Sequence, residues 1–266
     1  MSDLLSPSES NRVVTYQTRI DSSDYSFCNG MGTLFSQIEL NLYRELNRNE
    51  KSLKDLKREY LRKYQINARQ FNSIHLILKG KIASVNECRK LQINNLKSQI
   101  KGLEVSLKKK RKALKKTPYS CGINGQKSPR AYLKWIIHQK ERKLSKLKLK
   151  LPKINETKPS ILFGGRKLWK KQFNLEANGY KNHQEWLADW RNARISGFTL
   201  VGSSDESKGN QNCQLIDKTL KVRIPPGLEH LYGKYYYFEN ITFPYGQDEI
   251  NYALSRKQAL TYKFSY

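Results

Sequence analysis

The chain has 266 residues, of which 50 are Lys or Arg and 23 are Asp or Glu, giving a formal net charge of +27. Such an excess calls for a polyanionic partner, and 16 Tyr, 9 Phe and 4 Trp call for a packed core rather than a disordered basic tail. No run approaches the roughly 18–20 consecutive apolar residues of a membrane span, so nucleic acid is expected over a membrane. The amino terminus is polar and Ser-rich, with no hydrophobic stretch of signal-peptide type, so a cytoplasmic, nucleoid-associated location is expected. Cys28, Cys88, Cys121 and Cys213 are scattered, and His75, His138, His183 and His230 do not cluster with them. A zinc site is usually announced by a paired spacing, so free thiols, no metal and no other cofactor are expected.

In chain order, residues 1–11 read as a loose tail and 12–28 as the first strand of a β domain, carried by Val13 to Ile20. Residues 29–156 read as a basic helical region. From Arg48 to Lys153 there are 31 Lys and Arg against 6 acids, whereas from Ser196 to the end there are 8 against 7. Almost the whole positive excess therefore lies in the helical segment. Ser52 has the chemistry of an N-cap, with Leu53, Leu56, Tyr60 and Leu61 on one face behind it. After Gln65-Ile66-Asn67 a second short helix is expected through Phe71 and Ile74, stopping near Gly80. Together the two helices have the rhythm of a helix-turn-helix. Arg69, Gln70 and Asn72, near the start of the second, are residue types suited to base edges or phosphates.

The longest periodic signal follows. Ile93, Leu96, Ile100, Leu103, Leu107 and Leu114 recur at alternating steps of three and four, a coiled-coil seam interrupted at Lys110. A second seam, Leu133, Ile137, Leu144, Leu147 and Leu151, begins after a turn from Thr117 to Pro129, with Ser128 as cap and Pro129 in the first turn. Two seams joined by such a loop predict an antiparallel helical hairpin more than about 30 Å long. Toward its tip lie Lys108, Lys109, Lys110, Arg111, Lys112, Lys115 and Lys116. Solvated helix faces usually mix signs, yet Glu104 is the only acid from Lys97 to Lys116, so this run is the first candidate for phosphate contact.

Residues 157–266 read as a helical linker followed by β structure. Gly164-Gly165-Arg166-Lys167 lacks the full spacing of a nucleotide-binding loop and reads as a basic turn. Arg166, Lys167 and Lys170 are candidates for contact with a nucleic-acid backbone. Trp169, Phe173, Trp186 and Trp190 lie on amphipathic stretches and are expected in the core. Strands are expected at Phe198–Val201, Cys213–Ile216, Leu220–Ile224, Tyr235–Phe243 and Ala259–Phe264. The fold class is thus α+β: a small antiparallel β-barrel completed by Val13 to Ile20, with a long, basic α-helical insertion.

Several of these segments resemble TnpB, the RNA-guided nuclease of OrfB-type transposons and a relative of the type V CRISPR effectors. The resemblance rests on Tyr16-Gln17-Thr18-Arg19-Ile20, on Phe163 to Trp169, and on Leu200 to Glu206 with Gly209-Asn210-Gln211, in that order along the chain. It implies a split β-barrel wedge domain interrupted by a helical recognition lobe, with guide RNA and double-stranded, unwound target DNA as partners. Base pairing then reads the sequence while the protein reads shape and a short adjacent motif. Family members continue into a RuvC-type nuclease with metal-binding acids and a four-cysteine zinc ribbon. Neither is expected here, since Asp205, Glu206, Asp217, Asp248 and Glu249 fall at turns or helix starts. The expectation is a binding half that does not cleave by itself: a truncated reading frame, a separately encoded fragment with a nuclease domain supplied in another chain, or a binding-only derivative. Rival readings are a helix-turn-helix DNA-binding regulator, a structural RNA-binding protein, and a nuclease complete in this chain.

Overall fold

The computed structural model describes residues 13–20, 25–119, 128–157, 159–256 and 258–266. The expected tail at 1–11, Cys121 and most of the turn after Thr117 lie outside them. The chain forms two compact units, one built from the residues up to Lys79 together with Leu162–Tyr266, the other from Gly80–Ile161. Among the described residues no helix is long and apolar enough to cross a membrane.

In the first unit, helix α1 (Ser26–Arg48) places Phe27, Met31, Phe35, Ile38 and Leu42 on one face, and all five are buried. Burial of such side chains is worth about 2 kcal/mol each, which makes α1 the organising helix of this unit. It ends on Asn49, whose left-handed backbone (φ 55°) lets its N–H reach the Glu45 carbonyl at 3.2 Å. Helix α2 (Leu53–Lys63) starts where expected, with the Ser52 hydroxyl accepting from the Asp55 N–H at 3.2 Å.

Helix α3 (Ala68–Lys116) departs from expectation: it runs through Gly80 without a break. A lone helical glycine costs about 1 kcal/mol relative to alanine, and neither a proline nor a capping residue accompanies it, so the apolar seam beyond carries the helix on. Helix α4 (Pro129–Glu156) begins as predicted, the Ser128 hydroxyl accepting from the Ala131 N–H at 3.3 Å.

The remaining elements return to the first unit. They are α5 (Arg166–Lys171), α6 (His183–Ile195), β1 (Gly197–Val201), β2 (Cys213–Ile216), β3 (Thr219–Arg223), α7 (Glu229–Tyr232), β4 (Tyr235–Phe238), α8 (Gln247–Ser255) and β5 (Thr261–Ser265). The fold is α+β with small antiparallel sheets. One sheet pairs β1 with β5, Phe198 opposite Phe264; the other has the order β2-β3-β4, Val222 standing opposite both Cys213 and Tyr236. β4 is shorter than the predicted Tyr235–Phe243, because Asn240 takes a left-handed backbone at φ 58° two residues past its end.

One aromatic core joins these sheets to α1. Phe27 stacks on Tyr236 with centroids 4.1 Å apart, Phe198 stacks on Phe264 at 4.5 Å, and Phe238 lies 5.9 Å from both Phe27 and Phe264. Val13 to Ile20, expected as a strand, takes no regular secondary structure and forms no ladder. It runs beside the segment after β4: Thr18 donates to the Thr242 carbonyl, and the Tyr16 ring lies 6.0 Å from Tyr245 and against Gly246. At the far side of the core the Tyr266 hydroxyl sits within hydrogen-bond reach of the Cys28 and Ile195 carbonyls, beside Gly32 of α1. Burial pushes its pKa up to about 12, so it remains a donor at all ordinary pH values.

Candidate nucleic-acid interface

The second unit is the hairpin. Its segment 80–161 carries 23 Lys and Arg against four Glu, the densest positive charge in the chain. Arg89 of α3 donates to the Ile154 carbonyl of α4, Lys148 pairs with Glu104 at 2.6 Å, and Arg111 pairs with Glu141 at 2.6 Å. Numbers rising along one helix meet numbers falling along the other, so the helices are antiparallel. The seam is the predicted one: Leu96, Leu107 and Ile137 are buried, and its other apolar members are half-buried. Lys110, at the interruption, is half-buried as well.

Arg130 closes the tip. Its guanidinium donates to the Leu114 carbonyl at 2.9 Å and the Thr117 carbonyl at 2.6 Å, satisfying orphan acceptors at the end of α3. The same group lies 4.0 Å from the centroid of the Tyr119 ring.

Between the helices an open groove of about 700 Å³ is lined by Glu104, Lys108, Arg111, Lys112, Lys115, Glu141, Ser145 and Lys148 above an apolar floor of Leu107 and Leu144. Two of its cations, Arg111 and Lys148, are held by its two acids. Among the described residues no ion pair involves Lys108, Lys112 or Lys115, nor their neighbours Lys109, Lys110 and Lys116. Lys108, Lys112 and Lys115 are spaced by four and three residues, so they lie in one row along the groove. The 37 residues of α3 from Gly80 to Lys116 rise about 55 Å and α4 about 42 Å, more than one turn of duplex DNA.

The other candidate residues fall in the first unit. Asn67 and Gln70 form a reciprocal cap at the start of α3: the Gln70 N–H donates to the Asn67 side chain at 2.8 Å, and the Asn67 N–H to the Gln70 side chain at 3.0 Å. Gln70 is fully buried and its amide also donates to the Arg223 carbonyl at 3.2 Å. Arg69 bridges Asp205 at 2.7 Å and the buried Glu206 at 3.1 Å. Hydrogen bonds from Ser203 and Arg69 hold the Asp205 carboxyl below the usual carboxylate range. Asn72 accepts from Lys57 at 2.9 Å. These three side chains staple α3 to its surroundings, and the Asn-x-x-Gln spacing in the sequence is the signal that announces the cap. The remaining acids named above are local too. Asp217 makes the left-handed turn between β2 and β3, while Asp248 and Glu249 occupy the first turn of α8. Among the described residues no three His, Cys, Asp or Glu converge as a metal site.

Arg166, Lys167 and Lys170 are exposed together on α5, well apart in sequence from the hairpin row. Gly164 and Gly165 enter that helix with φ of 96° and 87°, and a side chain at Gly164 would press on Trp190. Trp186 and Trp190 are core residues as expected, and Trp186 donates to the Leu168 carbonyl at 2.9 Å. Trp169 packs on both but is partly exposed, and Phe173, expected inside, is 75% exposed. Compared with known proteins, the chain matches no family model, no curated protein and no solved structure.

Proposed function

We propose that this chain binds nucleic acid, laying the phosphate backbone along the row of Lys108, Lys112 and Lys115, with Lys109, Lys110, Arg111 and Lys116 beside it. The observation that carries this reading is a row of cations on a two-helix hairpin that, among the described residues, has no ion-pair partner. Surface lysines left unmatched by acids gain most from releasing the counterions of a polyanion. Arg166, Lys167 and Lys170 form a second backbone contact in this reading.

The finer proposal is the nucleic-acid-binding half of a TnpB-like, RNA-guided DNA-targeting protein. Its guide RNA and target DNA are held by shape. In this reading the two sheets, which share one aromatic core but are not closed into a barrel, form the wedge-like domain, with the Val13 to Ile20 segment beside residues 242–246. A helix-turn-helix regulator is less well supported, because Arg69, Gln70 and Asn72 are engaged within their own unit.

The test is to purify the chain from its native host and sequence the RNA bound to it. One abundant structured RNA ending in a variable guide supports the TnpB-like reading. Ribosomal RNA would move the assignment to an arm-like RNA binder. Absence of bound RNA, with no affinity for duplex DNA, would overturn nucleic-acid binding altogether.

A further inference from the structure

The β2-β3-β4 sheet has two unlike faces. Cys213, Leu215, Leu220, Val222 and Phe238 are buried beneath it. The alternate positions, Gln214, Ile216, Thr219, Lys221, Arg223, Tyr235 and Tyr237, share the opposite face by strand alternation and register. None of these seven is acidic. Lys221 stands opposite Tyr237, and Arg223 opposite Tyr235.

Tyr237 is 51% exposed and Ile216 37% exposed, so an aromatic ring on this face is open to solvent. The neighbouring Tyr235 ring is flanked by cations, with the Lys221 ammonium 4.0 Å and the Lys234 ammonium 6.0 Å from its centroid. The acids nearby, Asp217 and Glu239, lie past the ends of β2 and β4, at the opposite end of the sheet from Arg223 and Lys234. The face therefore carries an open ring, a cluster of cations toward one end, and two polar groups, Gln214 in register with Lys221 and Thr219 in register with Ile216.

We propose that this sheet face is a second site, separate from the hairpin, that binds single-stranded RNA. An unpaired base stacks on Tyr237, while Lys221, Arg223 and Lys234 meet the flanking phosphates. An open sheet with a stacking ring and adjacent cations takes bases splayed out of a duplex, and a duplex keeps its bases out of reach of such a ring. RNA rather than DNA is assigned because Thr219 lies diagonally across from Tyr237 in the register of β3 with β4, where its hydroxyl can meet a ribose 2′-hydroxyl as donor or acceptor.

The experiment measures fluorescence anisotropy of labelled U12 RNA, dT12 DNA and a 12-base-pair RNA duplex against the full chain and its variants. Tyr237→Ala lowers affinity for U12 about tenfold, the usual scale for losing one stacked base, and leaves the duplex and the salt dependence unchanged. Tyr237→Phe keeps the ring and restores binding, while the unchanged duplex affinity of Tyr237→Ala separates lost stacking from a lost fold. Lys221→Gln with Lys234→Gln lowers the slope of log K against log salt by about 1.4, at roughly 0.7 per contact to a single strand. The same Tyr237→Ala loss is expected when Lys108, Lys112 and Lys115 are also Gln, so the hairpin reading and this one fail independently. Unchanged U12 affinity in Tyr237→Ala, or an equal loss for duplex, would overturn the site. Equal affinity of the wild-type chain for dT12 would overturn its assignment to RNA.

Discussion

Neutralising the unpaired row on the hairpin has a magnitude that follows from its geometry. Lys108, Lys112 and Lys115 line the groove, and each is expected to contact one phosphate of a duplex lying along it. Each contact to B-form DNA contributes about 0.9 to the slope of log K against log salt, so the triple Lys→Gln variant loses roughly 2.7. The deficit of the variant against the wild type then shrinks roughly 40-fold between 50 and 200 mM salt. Among the described residues these lysines form no ion pair, so the helical signal and the melting temperature are expected to stay within a degree or two of wild type. Glu141→Gln supplies the opposite sign: it releases Arg111 from a 2.6 Å pair that is exposed on both sides and worth little to stability. Affinity should then rise. Titration of a labelled 24-base-pair duplex by fluorescence anisotropy at four salt concentrations reads both effects. A triple variant with the wild-type slope would refute the assignment of phosphate to this row.

Gln70→Ala is expected to cost about 2–3 kcal/mol, from a lost cap and an unsatisfied buried Arg223 carbonyl, and to lower the Tm by roughly 5–10 °C in calorimetry. Gly102→Ala, where a methyl group meets nothing within 4 Å, should stabilise the hairpin by about 1 kcal/mol in urea unfolding. Gly32→Ala, whose methyl would strike Tyr266 and the Ile195 carbonyl, should instead destabilise the first unit by about 3 kcal/mol. Burial, then Lys79 and Lys57, hold the His75 pKa below its ordinary value. A depressed folded pKa means that its contribution is complete above pH of about 6.5 and is lost as pH falls through the folded pKa. Stability measured from pH 8 down to pH 5 should decline along that window, and less steeply in His75→Gln.

The hairpin was legible because its information is local. Leu96, Leu107 and Ile137 recur at the helical period, and Ser128-Pro129 mark a start that no tertiary contact has to supply. β2, at Cys213–Ile216, was equally plain, being β-prone residues ending at the Asp217-Lys218 turn. What escaped was long-range. Nothing near Gln70 in the sequence shows that its amide will meet the Arg223 carbonyl, so a buried staple resembled a base-reading side chain. Val13 to Ile20 has strand composition, but a ladder needs a partner strand, and in the fold the segment is tied through Thr18 and Tyr16 instead. Gly80 resembles a helix stop for another reason: glycine is a common end signal, and only the seam beyond it carries the helix on. In the sheet face, Lys221, Tyr235 and Tyr237 are separated by up to sixteen residues, and only the register of β3 with β4 brings them together.

The bonds that join α3 to the β elements also set an order of events when the chain is made. Asn67 reaches Asn212, Ser73 reaches Val201 and Gln70 reaches Arg223, so each link waits until more than a hundred further residues have been synthesised. The hairpin, whose pairs are 65 residues apart or fewer, can close well before that. Loop-closure entropy favours the nearer contacts, and an elongating chain presents them first. The basic hairpin is thus expected to be folded and exposed to cellular RNA on the ribosome, while the first unit is still waiting for its last strands.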